Sequence, residues 1–196
     1  AFADEGVLLR ERGITMPVVV LNADADSFDQ MIANRLEPEI YSFRSLADFA
    51  DAVSHAGETR YPVHIKLDTG MHRLGFMEEE IGRLCEVLPT LPAVKVASVF
   101  SHLNCADMPE EDAYTREQIA RYDRMSAAVA ASLPYPVIRH TANSAAIERF
   151  PEARFDMCRL GLGLYGFGWE HNAGLRPVSA LKTRIVQIKR LEAGDA

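Results

Sequence analysis

Short apolar runs rich in β-branched residues alternate with amphipathic segments along most of the chain, a pattern that restricts the fold to strand–helix units on a parallel sheet. Strands are expected at 17–21, 39–43, 62–67, 94–100, 136–140 and 155–160. Between them, Leu46, Phe49, Ala50 and Val53 fall at i, i+3, i+4 and i+7, and Ile81, Leu84, Cys85 and Leu88 repeat the spacing, so each set makes one apolar helical stripe. Ser45 stands where an N-cap is expected, and Glu78, Glu79 and Glu80 put negative charge at the other helix's positive end. A helix over 111–133 carries Tyr114, Ile119, Tyr122, Met125, Val129 and Leu133 near one face, and Pro134 closes it. A further helix is expected around 4–13. The fold class is α/β.

After Trp169 the texture changes to a His171-Asn172-Ala173-Gly174 loop, Pro177 and a β-rich run over 181–191 with no helix behind it. We place a domain boundary near Gly174, giving one unit over 1–174 and the start of a β domain over 175–196. Ala1 enters almost directly into a helix and Ala193-Gly194-Asp195 reads as a turn awaiting a strand, so both ends read as cut from something larger.

A net charge of −7 with scattered basic residues offers no footprint for nucleic acid or for an anionic membrane surface. No apolar run approaches the roughly 20 residues that span a bilayer, and no signal peptide is visible, which points to the cytoplasm. Cys85, Cys105 and Cys158 are too few and too dispersed for a disulfide framework or a zinc site, so they are expected to be reduced and mostly buried, and no metal is expected. A small-molecule partner remains.

The segment 62–68 alternates, so that Val63, Ile65 and Leu67 share one face and His64, Lys66 and Asp68 the other. In a barrel, polar side chains near the C-terminal rim of such a strand tend to be functional. The loop Thr69-Gly70-Met71-His72-Arg73-Leu74-Gly75 follows and presents Arg73, for which a surface ion pair is the competing reading. His102 ends the next strand, where a structural histidine is the commoner case. At Asn143-Ser144 small polar residues open a helix, suiting either an ordinary cap or an anion cradle. Arg159-Leu160-Gly161-Leu162-Gly163-Leu164-Tyr165-Gly166 contains G-x-G-x-x-G, but no strand–helix–strand unit with a later acidic residue follows, so a dinucleotide site is disfavoured. Two glycine-rich or small polar loops after late strands point instead to a barrel phosphate site, and so to a phosphorylated cofactor or substrate.

Taken in order, Lys66-Leu67-Asp68-Thr69-Gly70-Met71-His72-Arg73-Leu74-Gly75, Ser101-His102 with Ala106-Asp107, Ala142-Asn143-Ser144, and Arg159-Leu160-Gly161-Leu162 with Tyr165-Gly166 closely resemble the bacterial alanine racemases. The resemblance covers nearly the whole chain. It implies an incomplete (β/α)8 barrel of the pyridoxal-phosphate-binding type, with the first strand and helix missing, followed by the start of a C-terminal β domain. The implied cofactor is pyridoxal 5'-phosphate, and the implied reaction is two-base interconversion of L-alanine and D-alanine, supplying D-alanine for peptidoglycan in a cytoplasmic homodimer. By the same resemblance Asn143 and Ser144 lie near the cofactor phosphate, with Gly161 and Leu162 completing the cradle, and Leu21 lines the pocket beside the ring. Arg159 faces the pyridine nitrogen; a guanidinium gives up no proton, so the ring withdraws fewer electrons than a protonated pyridine would. His102 hydrogen-bonds Arg159. Arg73 lies near the cofactor's phenolic oxygen and the substrate carboxylate, and Lys66 matches a lysine that is carbamylated and holds that arginine. Neither proton-transfer group of the family, a lysine and a tyrosine, matches a position in this chain, so the chain alone is expected to be inactive.

Competing readings are a broad-specificity amino-acid racemase, a pyridoxal-phosphate decarboxylase, a non-catalytic pyridoxal-phosphate-binding barrel protein, and a parent fused to a cell-wall ligase. Arg159 in place of an acidic partner for the pyridine nitrogen argues against the decarboxylase. The β-rich segment after Leu175 argues against the single-domain carrier.

Overall fold

The computed structural model describes residues 2–21, 23–169 and 174–194. Five strands form one parallel sheet in sequence order: β1 (Val19–Val20), β2 (Glu37–Ile40), β3 (Tyr61–Lys66), β4 (Val94–Phe100) and β5 (Ile138–His140). Helix α1 (Ala3–Glu11) precedes them, and α2 (Phe28–Ala33), α3 (Phe43–His55), α4 (Ile81–Val87) and α5 (Asp112–Ala131) connect them, with α6 (Ser144–Arg149) after the last. Consecutive parallel neighbours joined by helices are a run of βαβ units, the arc of an incomplete (β/α)8 barrel.

The expected helical stripes are the buried ones. Leu46, Phe49, Ala50 and Val53 of α3 pack against the sheet, as do Ile81 and Leu84 of α4. On β3, Val63 and Ile65 enter this core, as does Leu67 just past its end, while His64 and Lys66 point to the opposite face. Burial of such an apolar layer supplies most of the driving force for folding.

Four expectations are corrected. Ser42, not Ser45, caps α3: its Oγ accepts from Ser45 N at 3.1 Å while Ser45 Oγ accepts from Ser42 N at 3.1 Å, a reciprocal box that starts the helix earlier. The run 155–160 forms no strand. Phe155 lies at φ 44°, which breaks extension, and the Asp156 carboxylate takes the Arg139 N–H that a ladder would have used. No strand forms over 181–191 among the described residues, where Leu181, Ile185, Val186, Ile188 and Leu191 are all exposed; a strand exists only with a partner to pair with. The cysteines are free, but Cys85 and Cys105 are only half-buried and Cys158 is exposed. Of the boundary loop, residues 171–173 lie outside the described residues, as does Asp195 of the final turn.

Candidate active site

Lys66 ends β3 and Phe100 ends β4, directly opposite each other in the ladder. The next residues along each strand turn out at the C-terminal rim, where a cavity of about 790 Å³ opens. Leu21, Lys66, Arg73, His102, Asn143, Ser144, Arg159, Gly161 and Leu162, all singled out in the sequence, line this one cavity together with Glu39 and Phe100.

The loop that carries Arg73 is built by backbone capture. Asp68 Oδ1 accepts from Gly70 N at 2.9 Å and from His72 N at 3.0 Å, Tyr114 donates to Gly70 O at 2.8 Å, and Arg121 donates to Thr69 O at 3.2 Å. Gly75 sits at φ 129°, where a Cβ would lie 2.5 Å from Asp68 N, so only glycine closes the loop. Asp68 is therefore a loop anchor. Arg73 itself is exposed and makes no ion pair among the described residues, so the surface-pair reading is not what the structure shows.

Arg159 is held by its carbonyl and histidine neighbours. Nη1 donates to His140 Nδ1 at 2.7 Å and to His140 O at 3.2 Å; Nη2 donates to Ser101 O at 2.5 Å and to Thr141 O at 3.2 Å. Four of the five N–H groups of the guanidinium are thus committed, and among the described residues only Nε–H has no partner. Burial lowers Arg159 to about 10, which leaves it charged at neutral pH. The histidine bonded to Arg159 is His140 rather than His102: the end of β5 places His140 behind the guanidinium, while His102 lines the cavity without a hydrogen bond to it. Burial, and then the positive charge of Arg159, drive His140 down to about 3 and His102 down to about 4, so both rings are neutral.

In the same cavity lining, Ser144 Oγ accepts from Gly161 N at 2.9 Å and from Gly163 N at 3.2 Å. Two backbone donors converging on one oxygen hold the Ser144 hydroxyl against the glycine turn and leave its O–H as the donor for an anion. Asn143 is committed elsewhere, its Oδ1 accepting from Ala146 N at 3.0 Å to cap α6 and its Nδ2 donating to Leu103 O at 2.9 Å. It shapes the cradle and brings no free donor.

Glu39 escaped the sequence reading, because a glutamate at the start of an expected strand, two residues after Glu37, reads as a solvated strand end. It is the carboxylate among Lys66, Arg73 and Arg159. Lys66 Nζ also lies 5.0 Å from the Phe100 ring centroid and the Arg159 guanidinium 5.3 Å from it, so both cations contact one ring. Lys66, Arg73 and Arg159 outnumber the lining carboxylates of Glu39 and Asp107, so the cavity suits an anionic ligand.

Comparison with known proteins follows the same lines. The family described as "Alanine racemase, N-terminal domain" matches residues 1–168. The alanine racemase of Symbiobacterium thermophilum is 37% identical over all of this chain and 53% of its own length, and that of Desulfovibrio desulfuricans is 36% identical over 99% and 53%. Among solved structures, alanine racemase from Clostridium difficile 630 superposes with a TM-score of 0.81 at 32% identity, covering 90% of this chain and 47% of its own. The alanine racemase of Bartonella henselae with covalently bound pyridoxal phosphate shares the fold, at a TM-score of 0.75 and 24% identity over 92% of this chain and 51% of its own. The chain spans about half the length of the curated relatives it matches. Among the described residues no helix is long and apolar enough to cross a membrane.

Proposed function

Because this chain belongs to the family of the alanine racemase N-terminal domain, we propose that it is the cofactor-holding part of a pyridoxal-phosphate-dependent alanine racemase. The observation that carries this reading is one cavity lined both by a guanidinium with a single uncommitted N–H and by the Ser144 hydroxyl, held by the Gly161 and Gly163 amides. That pairing fits a flat ring with an acceptor nitrogen at one end and a phosphate at the other. The finer attributes, a homodimer in the cytoplasm that supplies D-alanine for peptidoglycan, belong to the same proposal.

Pyridoxal phosphate, when bound, acidifies the α-proton of an attached amino acid. The chain's own residues then have separable tasks. Ser144 would hold the phosphate through its hydroxyl, with the backbone around Gly161 and Leu162 completing the cradle, and Leu21 would line the pocket beside the ring. Arg159 would turn its remaining N–H to the ring nitrogen and, giving up no proton, would leave that nitrogen a weaker electron sink than a protonated pyridine, which disfavours side reactions that need strong withdrawal. His102, neutral, fills the wall beside it. Arg73, on its pinned loop, faces the cavity as the cation for a substrate carboxylate, with Lys66 behind it. The groups that move the α-proton are supplied by parts of the parent outside these residues.

Titration of the chain with pyridoxal phosphate and with pyridoxal, followed by absorbance and equilibrium dialysis, tests this. The expected outcome is noncovalent binding that requires the phosphate and weakens in Ser144→Ala, with no conversion of L-alanine to D-alanine. Equal binding of pyridoxal, or racemisation by the chain alone, would sink the reading.

A further inference from the structure

Behind Arg159 a line of hydrogen bonds crosses the polar face of the sheet. Arg159 Nη1 meets His140 Nδ1 at 2.7 Å, His140 Nε2 meets Ser98 Oγ at 2.9 Å, Ser98 Oγ meets His64 Nδ1 at 2.6 Å, and His64 Nε2 meets a Glu37 carboxylate oxygen at 2.7 Å. The line begins at the cavity, beyond the C-terminal end of β5, and ends at the first residue of β2. Each strand from β5 to β2 contributes one member.

The proton positions along it follow from chemistry. A guanidinium only donates, so His140 Nδ1 accepts and the ring carries its proton on Nε2. That N–H donates to Ser98 Oγ, which leaves the one hydroxyl proton of Ser98 for His64 Nδ1. His64 in turn bears its proton on Nε2 and donates to the Glu37 carboxylate. Every donor points from the cation toward the carboxylate. His140, driven well below its ordinary range by burial and by Arg159, is neutral as this order requires.

We propose that Ser98 is a positioning residue for the cavity: its hydroxyl joins two histidines into a single polarised relay through which the Glu37 carboxylate fixes the orientation of the Arg159 guanidinium. Only a side chain that accepts and donates at one atom serves at this point, and Ser98 is 1% exposed, so no bulk water substitutes for it. Its placement depends on a register shift. Val63 pairs with Val96 but His64 pairs with Ser98, so a bulge at Ala97 swings Ser98 onto the face of His64. The relay concerns the chain's own hydrogen-bond order and stands whether or not pyridoxal phosphate is the ligand.

The test is 15N–1H correlation spectroscopy of the histidine side chains in the 196-residue chain. In the native chain, both His64 and His140 are expected as the Nε2–H tautomer. Glu37→Gln should shift the ring 15N resonances of His140, three hydrogen bonds away. The shift should persist when Ser98→Thr retains the hydroxyl and vanish when Ser98→Ala removes it. A His140 signal that answers Glu37→Gln equally with and without the hydroxyl, or not at all in the native chain, would overturn the relay. So would an Nδ1–H tautomer of His140 or a doubly protonated His64, which would turn a second donor onto Ser98. If Ser98→Ala does not fold, the native tautomers and the Ser98→Thr response decide the matter. Phosphate-dependent binding tests the proposed function separately.

Discussion

Glu39 Oε1 stands 4.0 Å from Lys66 Nζ, and both side chains are almost fully removed from solvent where they line the cavity. Burial pushes the Glu39 carboxyl up to about 7 against the pull of Lys66, Arg73 and Arg159, and burial brings the Lys66 ammonium down to about 8 although Glu39 opposes this. Removing the carboxylate removes an attraction that keeps the proton on Lys66. Each further unit of depression gives about tenfold more free amine at a pH below the pKa, and free amine is the form that reacts with carbon dioxide. A carbamate on Lys66 would also set a second negative charge beside Glu39. Glu39→Gln should therefore raise the 13C carbamate signal of the chain in labelled bicarbonate at pH 7 several-fold. An unchanged or weaker signal would show that Glu39 does not govern the lysine.

The same group shapes stability against pH, and the signs differ from residue to residue. His140 and His102 have native values of about 3 and about 4, below the ordinary 6.5 of the unfolded chain, so between those limits the unfolded state binds more protons and stability rises with pH. Glu39 is raised from 4.5 to about 7, so in that window the native state binds more protons and stability falls as pH rises. The two effects oppose each other from about 4.5 to 6.5. Glu39→Gln should steepen the acid limb of the stability curve, by up to about 1.4 kcal/mol per pH unit. Urea unfolding at pH 4.5, 5.5 and 6.5 reads the slope, and parallel curves for the two proteins would refute the assignment.

Much of this molecule is legible in its sequence because its patterns are periodic. The stripe Leu46, Phe49, Ala50, Val53 and the alternation from Val63 to Leu67 state which faces are buried, and both are. The ordered rim motifs likewise meet at one cavity. What escaped depends on events that periodicity does not encode. Ser98 reaches the polar face only through the bulge at Ala97, which reverses the alternation that Val94 and Val96 establish. His140 reaches Arg159 only because the chain after Phe155 folds back along β5 and Arg159 N bonds Ala142 O at 2.9 Å. Glu39 and Lys66 are 27 positions apart and meet through parallel pairing of β2 with β3.

Arg159 offers a sharper contrast. Three of its four bonds satisfy the carbonyls of His140, Ser101 and Thr141, in or beside the core, and the fourth goes to the His140 ring. Truncation leaves several acceptors without partners, so Arg159→Ala should cost about 3–5 kcal/mol in urea unfolding. Arg159→Lys keeps the charge but loses the planar fork and should recover only part of this. His102→Ala breaks no hydrogen bond to the arginine and should fall within about 1–2 kcal/mol of native. Equal losses for His102→Ala and Arg159→Ala would contradict the assignment of His140 as the arginine's partner.

The run from Leu181 to Leu191 raises a question of domain boundary that truncation answers. None of its apolar residues belongs to the buried core, and Leu181, Val186 and Ile188 are between 83% and 103% exposed. Exposed apolar side chains recurring along one short segment promote association when they have nothing to pack against. Its contact with the body is slight: Val178 N donates to Tyr165 O at 3.2 Å, and Arg176 O packs against Gly166. If 175–196 is the start of a separate β domain, a chain ending at Gly174 keeps the whole core, so its melting temperature should stay within a few degrees of the full chain while light scattering falls. A large drop in melting temperature would instead make the segment an integral part of the barrel unit. Unchanged scattering would remove the reason to regard its apolar residues as an unpaired surface.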